Sequence, residues 1–110
     1  MATRPTEKWL DSSEEPDARW NATDDALRQF ERDLRWLDSP SDEEVFGLIQ
    51  SVVEALNDVN GDYNAFDAYN RVELCDFIDA SLAEAGIDLD GLAERSGVAR
   101  AALTDEWRDW

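Results

Sequence analysis

The sequence predicts an all-α fold, a single small helical domain of about four to five helices, on three observations. Apolar residues recur at three- and four-residue spacing in successive stretches, the pattern of helices with one buried face. Residues that start or stop helices bracket those stretches. The 110 residues are 43% apolar and include five Trp and four Phe, enough for one packed core. Residues 1–22 read as a partly ordered N-terminal arm and 23–110 as the helical domain.

The arm mixes charges, carries Pro5 and Pro16, and shows little sustained period, although Trp9, Leu10 and Trp20 could dock on a core. Thr23 offers an N-cap, followed by Asp24 and Asp25 where a helix dipole favours anions. Leu27, Phe30, Leu34 and Leu37 carry that helix to about residue 37, and Ser39-Pro40 breaks it. Ser41 and Glu44 form a capping-box pair. Val45, Leu48, Ile49, Val52, Val53 and Leu56 then set a second helix over about 42–56. Residues 57–66 are turn-rich. A third helix runs from about Asp67 to residue 85, with Val72, Cys75, Ile78 and Leu82 on its buried face and Leu74 and Phe77 widening it. Gly86 follows as a stop. Two short helices flank Gly97, with Leu89, Leu92 and Ala93 before it and Leu103 and Trp107 after it. They form a helix-turn-helix-like hairpin, and Trp110 can pack beside Trp107.

Charge narrows the function. Twenty-seven acidic and ten basic residues, with no histidine, give a net charge of −17. The surplus is uneven. Residues 36–94 hold fifteen acids against one base, Arg71, for a net of −14, whereas the two flanks together carry −3. Such asymmetry points to a face that attracts a basic protein and disfavours nucleic acid. A uniform excess of carboxylates would instead mark adaptation to a salt-rich cytoplasm, and one Lys against nine Arg fits that habit too.

Other classes fall away. Without histidine there is no Ser-His or Cys-His nucleophile and no HExxH metal helix. No Gly-rich phosphate loop accompanies the many carboxylates, so no catalytic residue, metal or cofactor is assigned and the protein is read as no enzyme. A lone Cys75 makes no internal disulfide and behaves as a small core hydrophobe suited to a reducing cytoplasm. No apolar run approaches the roughly 20 residues of a membrane span. Met1-Ala2-Thr3-Arg4-Pro5 lacks the apolar core of a signal peptide.

Three segments carry candidate chemistry. Asp58-Val59-Asn60-Gly61-Asp62 looks like the opening of an EF-hand or dockerin calcium loop. Tyr63 and Tyr69 stand where such a loop needs its glycine and its bidentate glutamate, so a turn is expected and no metal site. Residues 89–108, LDGLAERSGVARAALTDEWR, resemble the helix-turn-helix of phage-repressor-type regulators through Leu92-Ala93, Gly97-Val98 and Leu103. The resemblance implies a second helix in the major groove, where Ala99, Arg100, Ala101, Thr104 and Asp105 would face the bases. Among these, Arg100 and Thr104 are the possible DNA-contacting residues.

The third segment interleaves Tyr63, Phe66 and Tyr69 with Asp58, Asp62 and Asp67. Tyrosines often anchor interfaces, and carboxylates pair with Arg or Lys across them. These six residues are the candidate partner-binding set. The resulting expectation is an acidic, non-catalytic protein that engages a basic protein partner as an inhibitor, an immunity-type protein or a DNA mimic. The alternatives are a helix-turn-helix regulator or adaptor contacting DNA or another regulator, and a halophile protein whose acidity serves the solvent alone.

Overall fold

A computed structural model describes residues 3–11, 17–105, 108 and 110, excluding the side chain of Ala101. The fold is all-α: α1 (Pro5–Asp11), α2 (Ala18–Arg35), α3 (Asp42–Tyr63), α4 (Ala68–Glu84) and α5 (Leu89–Ser96), then a 3₁₀ turn at Arg100–Ala102. No strand occurs among the described residues. Leu27, Phe30 and Leu34 of α2 meet the apolar stripe of α3 (Val45 to Val59), which continues onto Leu74, Ile78 and Leu82 of α4. Leu89, Leu92, Leu103 and Trp110 complete this core.

Local chemistry explains most boundaries. Ser41 and Glu44 make the expected reciprocal cap at the start of α3. Gly86, at φ 89°, ends α4 through bonds from its own N–H to Ala83 and from the Ile87 N–H to Leu82. Gly97, at φ 72°, repeats the arrangement with Glu94 and Ala93 at the end of α5. Each glycine supplies the left-handed step that lets the next N–H turn back onto the helix carbonyls.

Four expectations change. The second helix starts at Ala18 rather than after Thr23, capped by Asp17, whose carboxylate accepts from the Arg19 N–H at 3.0 Å. The residue 22/23 boundary therefore lies inside α2. Thr23 is buried and its hydroxyl donates to the Arg19 carbonyl at 2.7 Å. The turn-rich reading of 57–66 also shortens, because the α3 stripe continues from Leu56 to Val59 and holds residues 57–63 in the helix. Val72 is 60% exposed and Cys75 only half-buried, since α4 turns Leu74, Phe77, Ile78, Ser81 and Leu82 inward. Finally, the chain after Gly97 makes a 3₁₀ turn where the repressor likeness implied a reading helix, and the adjacent Leu103 and Thr104 are both buried. Trp107 lies outside the described residues.

The arm is built into the body by polar contacts. The Arg4 guanidinium donates to Asp24 at 3.0 Å and to Glu31 at 2.7 Å, and the fully buried Thr6 hydroxyl donates to Asp24 at 2.6 Å. Trp9 lies against Trp20 with ring centroids 4.7 Å apart, and its indole N–H donates to Glu73 at 3.2 Å. These contacts fasten α1 to both α2 and α4.

Candidate functional site

The α3–α4 corner is held by side chains of its own sequence. Asn64, in the left-handed region at φ 49°, ends α3 by donating its N–H to the Asn60 carbonyl at 2.7 Å. The Asn60 side-chain oxygen accepts from the Phe66 N–H at 3.1 Å and ties the last turn of α3 to the segment that leaves it. Asp67 caps α4 by accepting from the Asn70 N–H at 2.9 Å, while the Asn70 side chain accepts from the Asp67 N–H at 3.0 Å. With both helix ends satisfied, the corner is a preorganised feature of the backbone. Asn60→Ala is expected to cost about 1 kcal/mol, because it removes one partly buried bond and frees the Phe66 N–H; a urea melt measures it.

Five of the six candidate contact residues are exposed here: Asp58, Asp62, Tyr63, Asp67 and Tyr69. The sixth is a correction. Phe66 is buried at 8% exposure and meets the Trp110 ring edge-on at 5.6 Å, because the turn after Asn64 directs Ala65 and Phe66 into the core. Phe66 thus supports the corner from beneath.

The acids at the corner occupy an unfavourable place. Asp58 and Asp62 sit four residues apart on α3; Asp62 lies in the last turn, where the helix dipole repels anions and no basic residue is present, and Asp58 lies one turn earlier. Like charges at this spacing oppose a helix by roughly 0.2–0.5 kcal/mol. Among the described residues neither carboxylate has a hydrogen bond or ion pair.

Elsewhere in the acidic middle, bases from the flanks fold back to neutralise the surplus. Arg95 forks onto Asp42 at 2.7 and 2.8 Å, and Lys8 reaches Glu73 at 2.9 Å. Arg100 forks onto Asp79 at 2.8 and 2.7 Å and also touches Asp90 at 3.3 Å. The Arg95 contact holds the Asp42 carboxyl below the usual range. The bonds from Arg100 to Asp79 likewise hold the Arg100 proton more tightly than usual. The sequence asymmetry is therefore partly cancelled in space, and free exposed carboxylates remain, among them Asp38, Glu43, Asp58, Asp62 and Asp76.

The other two candidate segments have different surroundings. Arg100 is engaged by two carboxylates, and Thr104 is buried beside Cys75, its hydroxyl 3.8 Å from the sulfur. Asp105 pairs with Arg108 at 2.9 Å. Asp58 through Asp62 are helical, so they cannot wrap an ion, and the described residues contain no group of three or more metal-ligating side chains.

Sequence reasoning missed Asp76 and Val72 as surface features. The apolar residues of α4 were legible, but which of its two apolar sides would be covered was not.

The chain is a small acidic all-α domain whose capped α3–α4 corner exposes carboxylates and two tyrosines. No family model, curated protein or solved structure matches the chain. No helix among the described residues is long and apolar enough to cross a membrane.

Proposed function

We propose that the protein is a non-catalytic acidic binding protein whose α3–α4 corner engages a basic protein partner, in the manner of an inhibitor, an immunity-type protein or a DNA mimic. The supporting observation is the pair Asp58 and Asp62, unpaired, of like charge at four-residue spacing, with Asp62 also set against the dipole of the last turn. A Lys or Arg from a partner would relieve both penalties at once. Tyr63 at the end of α3 and Tyr69 at the start of α4, 43% and 80% exposed, would serve as aromatic anchors. Placement on a capped corner limits the ordering cost of binding. The single free thiol, Cys75, fits a reducing cytoplasm.

Unfolding across KCl from about 0.05 M to 3 M tests this against acidity that serves the solvent alone, since repulsion between exposed charges is well screened at about 1 M. The expected result is a cooperative transition already present at the lowest salt. A chain that folds only in molar salt would show the acidity to be a requirement of the solvent and would remove the reading's support.

A further inference from the structure

Helix α1 differs from α2–α5 in what holds it. The contiguous apolar core begins at Leu27 and takes no buried member from α1, whose one buried residue is Thr6. Trp9 touches the edge of that core as a partly buried side chain. At seven residues α1 is also shorter than the roughly 12–15 an isolated helix needs in water. Directed polar bonds therefore place it. A segment with so few buried apolar contacts is the part of a fold that opens before the rest.

The seat beneath α1 has a definite chemistry. Asp24 and Glu31, two turns apart on one face of α2, hold the Arg4 guanidinium between them at 3.0 and 2.7 Å. Asp24 also takes the Thr6 hydroxyl at 2.6 Å. Glu73 of α4 takes both the Lys8 ammonium at 2.9 Å and the Trp9 indole N–H at 3.2 Å. Trp20 backs the Trp9 ring, and Phe77 lines a hollow of about 480 Å³ beside Arg4, Pro5 and Lys8. With α1 away, Asp24 keeps Arg28, but Glu31 and Glu73 lose every side-chain partner they have among the described residues.

We propose that this seat is a recognition surface for a short helical segment of a partner protein, with α1 as its intramolecular occupant. The segment carries an Arg, a hydroxyl two residues on, and Lys and Trp four and five residues on, the spacing of Arg4, Thr6, Lys8 and Trp9. The occupant already seated there defines this chemistry bond by bond. Tethering to the same chain gives α1 a high effective concentration, so binding is an exchange in which α1 leaves as the partner's segment enters. The surface uses none of the residues of the α3–α4 corner and stands apart from that reading.

The test uses the full chain and a synthetic peptide of residues 3–11, TRPTEKWLD, with the same peptide bearing Arg4→Ala as control. In the full-chain Arg4→Ala variant, whose own α1 lacks the guanidinium, millimolar native peptide is expected to raise Tm by about 3 °C or more, as a ligand of the folded state does. The control peptide should raise it by less than about 1 °C. In the isotope-labelled wild-type chain, the same excess of native peptide should move the amide signals of residues 5–11 toward unstructured positions and leave those of residues 45–56 in place. Equal responses to the two peptides overturn the guanidinium seat. No response in either measurement overturns the exchange altogether. Sedimentation that shows concentration-dependent dimers of the wild-type chain, lost in Arg4→Ala, would assign the seat to a second copy and overturn the partner.

Discussion

Arg4→Ala is expected to destabilise the protein by about 2–3 kcal/mol and to release α1. Asp24 and Glu31, whose side chains are 11% and 6% exposed, both depend on this guanidinium. Removing one partner from a mostly buried ion pair costs about 3–5 kcal/mol. The lower figure allows for the partial exposure of Arg4 and for the remaining bonds to Asp24, from Arg28 at 2.8 Å and from the Thr6 hydroxyl at 2.6 Å. Glu31 has no other charged partner among the described residues, so its uncompensated carboxylate carries most of the loss. Denaturant melts give the magnitude, and tryptophan emission reports the separation of Trp9 from Trp20. Arg4→Lys should recover only part of the loss, because one ammonium cannot fork onto two carboxylates. The double variant Arg4→Met/Glu31→Leu should approach wild-type stability, since apolar groups of similar volume remove the desolvation penalty along with the pair. A melt of Arg4→Ala that overlays wild type would show that α1 is held by its apolar contacts alone.

Acid should act on the same fastening. Burial raises the Asp24 carboxyl, but the hydrogen bonds from Thr6 and Arg4 and the neighbouring Arg28 outweigh it and hold the group below its ordinary value of 3.8. Because the folded-state value is depressed, this contribution is fully present above the unfolded value and disappears as pH falls through the folded one. Release of α1 is therefore expected only below about pH 4. A Trp9–Trp20 signal that instead changes between pH 5 and 8 would assign the effect to another group.

The Asp58→Asn/Asp62→Asn/Asp67→Asn variant should separate stability from binding. At low salt, association with a basic partner is expected to slow about tenfold or more, and its dependence on ionic strength should flatten, because long-range steering has been removed. The fold should not suffer. Asn serves about as well as Asp at the cap of α4, and relief of the like charges on α3 should add about 0.5 kcal/mol. Stopped-flow association and urea melts on the same preparation measure the two effects. An unchanged on-rate places the interface elsewhere, whereas a lost cap at Asp67 would appear as reduced stability.

How legible each element was depends on what covers it. The stripe of α3 and its Ser41–Glu44 cap could be read directly because apolar residues cover that face throughout. The first two turns of α2 could not, because the residues buried there are Thr23 and Asp24, matched by Arg4 and Thr6 from α1. A polar patch between helices leaves no hydrophobic period. Residues 57–63 failed for another reason: the density of Asn, Asp and Gly suggested a turn, yet Val59 three residues after Leu56 kept the helical stripe going. For the site, residue type and charge pointed to Asp58, Asp62, Tyr63, Asp67 and Tyr69. The inward turn of Phe66 depends on Asn64 and on Trp110, which is 44 positions later in sequence, so local pattern could not reveal it.

The bond between the Asn60 side chain and the Phe66 N–H also bears on chemical ageing. An asparagine followed by glycine deamidates readily in a mobile chain, where the next backbone nitrogen can swing onto the side-chain carbonyl. Here Asn60 and Gly61 lie inside α3, and the amide oxygen is already held by a neighbour six residues on. The most labile dipeptide of the corner is thereby kept from the geometry that would convert it. Its lifetime as an amide follows the lifetime of the folded helix end.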